Sequence, residues 1–184
     1  MKVSREQVEA NRGRILEAAG RLFRERGFEG VTVAEVMQAA GLTHGGFYGY
    51  FRSKDDLIAR ALGALMGENK AASRDLADFA AAYLAPDHRD DRAGGCGVAA
   101  LGAEVGRGTP EARAEMTSAL RRQIDGFSRT APGATPEDRR QAAIGSWSAM
   151  VGAVILARMS DDPALADEVL AETRAFIAAR SALS

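Results

Sequence analysis

Cysteine is almost missing from this sequence: Cys96 is the only one in 184 residues, so no disulfide can form within the chain. That fits a reducing compartment. Histidine occurs only twice, at 44 and 88, and two histidines with one cysteine make a poor metal-ligand set, so no metal and no cofactor are expected. The glycine-rich stretch GRGTP at 106–110 lacks the lysine and spacing of a phosphate-binding loop. No apolar run approaches the ~20 residues a membrane span needs, the longest being Met150 to Ala157. The opening MKVSREQVEANRGR is too polar for a secretory signal. A cytoplasmic protein without membrane association is therefore expected. No strand-like alternation of apolar and polar residues occurs either, which leaves an all-α chain.

Charge of one sign is also lacking, since the net charge is −1. The balance is uneven along the chain. Residues 1–60 hold ten Lys/Arg against eight Asp/Glu, and the remainder fourteen against seventeen. The asymmetry is mild, but its positive end is the N-terminal one. With 46% hydrophobic and 27% charged residues, the chain has ordinary globular composition and can bury a core unaided.

Helix signals fill the sequence. Ser4 with Gln7, Thr32 with Glu35, and Ser53 with Asp56 have the spacing of capping boxes. Apolar residues follow each at helical intervals: Ile15, Ala19, Leu22 and Phe23; then Val33, Val36, Met37 and Ala40; then Leu57, Ala61 and Leu65. Gly27 and Gly41 stand where helices should stop. Residues 85–97, with a proline, clustered charges and paired glycines, read as a break. Thr109-Pro110, Thr135-Pro136 and Asp162-Pro163 each put a capping residue before proline at the first helical position. The total is about nine helices, the longest late ones covering 137–159 and 163–181.

The informative stretch is TVAEVMQAAGLTHGGFYGYFRSKDDL, Thr32 to Leu57. Two short helical segments meet at Gly41 behind Ala39 and Ala40, as in a helix-turn-helix. An ordinary helical hairpin would explain the glycine. It would not explain polar-tipped Tyr48 and Tyr50 on a glycine-rich segment anchored by Phe47 and Phe51. Nor would it explain Ser53-Lys54, a capped helix start beside a cation that suits a phosphate. The pattern A-G-L-T-x-G-x-F-Y-x-Y-F-x-S-K-x-x-L, with I-L-x-A-A-x-x-L-F-x-x-x-G-F from Ile15 to Phe28, closely resembles the DNA-binding head of the tetracycline-repressor (TetR) family. The resemblance covers about the first 60 residues.

The resemblance implies a head at 1–53 and a ligand-binding and dimerisation body at 54–184. It also implies a homodimer that represses transcription from a palindromic DNA operator and is released by a small molecule. By position, it places Thr32, Tyr48 and Lys54 against phosphates. Thr43, His44, Gly45, Gly46, Gly49 and Tyr50 fall on the recognition helix. Three glycines there leave direct readout to His44, Tyr50 and Thr43.

In the body, an apolar cavity is expected among Leu65, Met66, Tyr83, Leu101, Met116, Leu120, Phe127, Trp147 and Met150. Glu104 and Arg121 would serve as polar contacts for a largely apolar effector. A dimer face is expected from Ile144, Val151, Val154, Ile155, Val169, Thr173, Phe176 and Ile177, since two late helices per chain carry more apolar surface than one small protein needs. Cys96, within Gly94-Gly95-Cys96-Gly97, is read as a small structural hydrophobe, with a redox- or electrophile-sensing thiol as the rival. An enzyme that merely keeps the head is a further rival. Nothing in the sequence positions a base or an oxyanion hole beside Cys96, so a non-enzyme is expected.

Overall fold

A computed structural model describes residues 4–67 and 75–181. Among them are nine α-helices, one 3₁₀ segment and no strand. In order these are α1 (Arg5–Arg26), α2 (Val33–Ala39), the 3₁₀ segment His44–Gly49, α3 (Lys54–Gly67), α4 (Leu76–Tyr83) and α5 (Pro86–Asp90). Then come α6 (Gly97–Arg107), α7 (Pro110–Phe127), α8 (Pro136–Met159) and α9 (Pro163–Ser181).

Local chemistry sets most boundaries. The Thr32 hydroxyl accepts the Glu35 amide (3.2 Å), and the Glu35 carboxylate accepts the Thr32 amide (2.8 Å), a complete capping box. The other two expected boxes are half-formed. Ser4 accepts the Gln7 amide, but the Gln7 side chain turns to Asn11. Ser53 accepts the Asp56 amide, but the Asp56 carboxylate takes the amide of Arg52. Thr109, Thr135 and Asp162 cap three of the four proline-led helices, α7, α8 and α9. The expected break at 85–97 holds one short helix, α5, started by Pro86.

Two cores organise the chain. In the first, Ile15, Phe23, Val36, Met37, Phe47, Phe51 and Leu57 are buried together with Leu101 and Val105 of α6 and Met116 of α7. The head is thus not closed at residue 53, because body helices complete its core. The second core joins α4, the end of α7, α8 and α9 around Tyr83, Phe127, Trp147, Met150, Val154 and Leu170. Counting unbroken apolar side chains underestimated α8. With its alanines and glycines included, it is long and apolar enough by composition to cross a membrane. Its inner residues Ala143, Trp147, Met150 and Val154 are packed into the second core.

Candidate DNA interface and ligand cavity

The turn of the head rests on Gly41. Its φ of 69° lies in the left-handed region, which costs other residues about 1–2 kcal/mol. Past it, the chain forms a 3₁₀ segment rather than the expected α-helix. Phe47 and Phe51 hold this segment down; both are buried, with rings 5.7 Å apart and nearly parallel. The Arg12 guanidinium lies over Phe51.

Thr43, His44, Gly45, Tyr48 and Gly49 are exposed on the outer side, and Tyr48 reaches 77% exposure, the highest of the large apolar side chains. Thr43 makes no side-chain cap, so its hydroxyl is uncommitted by the helix start. None of Gly45, Gly46 and Gly49 has positive φ. A Cβ built on Gly45 or Gly49 meets nothing within 4 Å, and one on Gly46 meets only ordinary contacts near 3.9 Å. The fold does not require glycine at these positions.

Tyr50 differs from the reading that gave it a base edge. It is half-buried, and its hydroxyl accepts a hydrogen bond from the Asn11 side-chain amide on α1 (2.8 Å). It positions the segment. Asn11 itself is buried, and its Oδ1 accepts from Gln7 (2.9 Å) and Arg14 (2.7 Å). The sequence reading missed this hub, although a polar residue one turn before Ile15, on the apolar stripe of α1, was a signal for it.

Thr32 is exposed, but its hydroxyl is engaged within its cap, accepting the Glu35 amide and donating to Glu35 Oε2 (2.7 Å). These bonds with Thr32, together with Arg26 at 2.8 Å, hold the Glu35 carboxyl down to about 2. Lys54 is half-buried at the start of α3, directly after the Ser53 cap.

A cavity of about 850 Å³ lies where the first and second cores meet. Of the residues expected to line it, Leu65, Tyr83, Leu120 and Trp147 do so. Leu101 and Met116 are instead packed in the first core, and Phe127 and Met150 in the second, because they face helices rather than the gap. Glu104 is engaged elsewhere: its carboxylate accepts the Phe28 amide (2.7 Å), bracing α6 against the end of α1. Arg121 is exposed and does not line the cavity. The side chain of Met66 lies outside the described residues.

Several walls were not anticipated. Leu16, Glu17 and Arg24 come from α1, Phe79 from α4, and Cys96 and His88 from the segment before α6. Arg24 donates to the Ala93 carbonyl, and burial, against the pull of Asp91 and Cys96, lowers its pKa. The Tyr83 hydroxyl and His88 Nδ1 are buried without a well-formed hydrogen bond among the described residues; Cys96 lies beside the first and the Tyr83 backbone beside His88. Burial, with Cys96 beside it, raises the Tyr83 pKa, and burial lowers that of His88.

On the outer faces of α8 and α9, Ile144 and Phe176 are exposed and Val151, Ile155, Val169 and Thr173 are half-exposed. Val154 and Ile177, expected beside them, are buried within the chain and offer a partner no surface. Leu156, Met159 and Leu165 extend the exposed apolar set.

This is a helix-turn-helix head braced by a helical body, with a cavity open to one side between them. Residues 15–61 match the family described as "Bacterial regulatory proteins, tetR family". The chain is 35% identical over 75 residues to the HTH-type transcriptional repressor KstR2 of Mycobacterium tuberculosis, covering 41% of this chain and 38% of that protein. It is 36% identical over 62 residues to the HTH-type transcriptional regulator TtgR of Pseudomonas putida, covering 34% and 30%. These matches span well under half of the curated relatives' length. The likeness of fold is wider. The reduced form of E. coli NemR superposes with a TM-score of 0.71 at 23% identity, over 91% of this chain and 94% of that one. FadR of Bacillus subtilis, solved with stearoyl-CoA, gives 0.56 at 20% identity, over 88% and 96%. Residues 15–61 thus carry the sequence of that family, and the fold of the chain is like that of the solved structures.

Proposed function

We propose that the protein is a homodimeric transcriptional repressor that binds a palindromic operator through Thr43, His44, Tyr48 and Lys54 and is released by a small molecule in the body cavity. The observation that carries this reading is the outer side of the 3₁₀ segment. It combines exposed Thr43, His44 and Tyr48 with glycines that the fold does not require, and it lies next to the start of α3. Such a surface suits close approach to a phosphate backbone, with a few side chains left for base edges. Regulators named among the relatives support it.

The cavity has the volume of a small-molecule site. It touches α1 directly, and α6 runs from its rim to the Glu104–Phe28 bond at the end of α1. An effector that prefers the cavity in a DNA-incompetent arrangement of the heads weakens operator binding, and the operator weakens effector binding equally. Dimerisation rests on the apolar faces of α8 and α9, whose exposed side chains a second copy would cover.

The test is operator selection from genomic DNA, followed by a thermal-shift screen of small molecules and a release assay with any hit. Failure to enrich any sequence over bulk DNA would falsify the regulator reading. A second reading, a thiol-sensing regulator, is favoured by the place of Cys96 in the cavity wall. It requires that Cys96→Ser abolish peroxide- or electrophile-triggered release. Unchanged release in that variant leaves Cys96 as a wall residue only.

A further inference from the structure

The turn that joins α5 to α6 is held by side chains from two distant helices. Arg24 of α1 donates to the Ala93 carbonyl. Arg158 of α8 donates to the carbonyls of Arg89 (2.9 Å) and His88 (3.1 Å) at the end of α5. Both arginines are half-buried. The Asp91 carboxylate accepts the Gly94 amide (2.7 Å), and its charge attracts both guanidiniums. The Arg89 side chain adds an ion pair with Asp167 of α9 (2.6 Å). Hydrogen bonds from a charged donor are roughly twice as strong as neutral ones, so the two arginines are the main grips.

The glycines of this turn fit the grip. A Cβ on Gly95 would lie 2.8 Å from Arg158 Nη2 and closer still to the Asp91 carbonyl oxygen, and one on Gly94 would meet the Asp91 carboxylate. Here, unlike at Gly45 and Gly49, the fold leaves no room for a side chain. The turn is also a wall of the cavity, lined by Gly94, Gly95 and Cys96 with Arg24 beside them.

From this arrangement we infer that residues 88–95 are a strap that couples the cavity to the head, with Arg24 as the residue that passes the coupling on. One end of the strap is fastened to α1, the helix whose Asn11 holds Tyr50 of the recognition segment. The other end is fastened to α8 and α9, the helices assigned above to the dimer contact. A turn held by side chains shifts once one of them lets go. An occupant of the cavity that moves the strap draws the Ala93 carbonyl from Arg24 and changes how α1 sits against α8 and α9. In a dimer that relation sets the spacing of the two heads. Leu16 lets an occupant touch α1 itself; the strap adds the link to α8 and α9. The inference rests on the repressor reading above.

Cys96 is the only cysteine in the chain and directly follows the strap, so its rate of labelling by a thiol reagent reports where the strap lies. Coupling is reciprocal, and the operator can therefore stand in for an unidentified effector. The labelling rate of full-length protein is measured alone and with a saturating duplex from the operator selection. In the wild type the duplex should change the rate by about fivefold or more, the low end of usual coupling between sites. Arg24→Gln should bring the two rates together, and Arg24→Lys, which keeps a charged donor, should restore part of the difference. Gly95→Ala, which displaces Arg158 or the Asp91 backbone, should act like Arg24→Gln. Arg21→Gln, exposed on α1 and outside the cavity wall, should keep the full difference. Thermal melting checks that each variant is folded. A full difference in a folded Arg24→Gln or Gly95→Ala chain, or its loss in Arg21→Gln, overturns the coupling. Equal rates in a wild type that binds the duplex also overturn it, and leave the repressor reading standing. Failure to enrich any duplex ends the repressor reading and the strap's role with it.

Discussion

In the head, the buried amide of Asn11 meets Tyr50, Gln7 and Arg14; in the body, the buried hydroxyl of Tyr83 lies beside Cys96 and His88 beside the Tyr83 backbone, without a well-formed hydrogen bond at the hydroxyl or at Nδ1. The two cores are comparably apolar, yet they treat interior polar groups oppositely. In the head, a hydrogen-bonded link spans 39 residues from α1 to the 3₁₀ segment. Such a network rigidifies one geometry. In the body, Tyr83 and His88 make no comparable link at the hydroxyl and at Nδ1.

The largest break in this comparison comes from the body's outer face. Leu156→Glu with Phe176→Glu should turn a dimer into monomers, because two charges would enter an apolar contact. Operator affinity should then fall by two orders of magnitude or more, roughly the share of a second half-site. Light scattering and operator titration measure both effects. A wild-type monomer at micromolar concentration would end the two-fold reading.

A matched pair of substitutions sharpens the contrast directly. Asn11→Ala should destabilise the fold by about 2 kcal/mol, since it leaves Tyr50 and its neighbours short of partners. Tyr83→Phe, equally buried, should be neutral or stabilising by up to about 1 kcal/mol. Urea unfolding at fixed protein concentration compares the two. Equal losses would mean that Tyr83 is satisfied after all.

Within the head, His44→Ala should weaken specific operator binding by about 1–3 kcal/mol and spare scrambled DNA. Tyr48→Phe should instead weaken both together, as the loss of a phosphate bond does. An unchanged operator-to-scrambled ratio in His44→Ala would move sequence discrimination to DNA shape.

The smallest effect concerns acid. The Glu35 carboxyl titrates at about 2 in the folded chain, against 4.5 ordinarily, first because it accepts the Thr32 amide. A lowered folded pKa gives stability that is present above the unfolded value and is lost as pH falls. The stability gap between wild type and Glu35→Gln should therefore be full above pH 4.5 and shrink towards pH 2. A gap independent of pH would show that the cap works through shape alone.

Much of the head was legible in the sequence because its determinants are local. Thr32 and Glu35 are three residues apart, Gly41 acts by its own backbone, and Phe47 and Phe51 share one face. The role of Tyr50 was not legible, because it depends on a partner 39 residues away. In the body, helical spacing identified inward residues but not what each one faces. Leu101 and Leu120 both read as interior, yet one closes the head's core and the other borders the cavity. Assigning α1 wholly to DNA binding hid its second face, where Leu16, Glu17 and Arg24 form part of the cavity wall. Val154 and Ile177 share helices with exposed neighbours, and periodicity did not separate the side facing α4 and α7 from the side facing outward.

The empty space around Gly45 and Gly49 bears on how such a protein changes its targets. A side chain added at either position meets nothing of the chain itself, and neither backbone conformation excludes one. On the proposed function, the head therefore holds two blank positions in its DNA-facing surface. A lineage, or an engineer building a library, can fill them with arginine, asparagine or serine without first mending the fold. On that reading, new target preferences are one or two codon changes away from the present sequence.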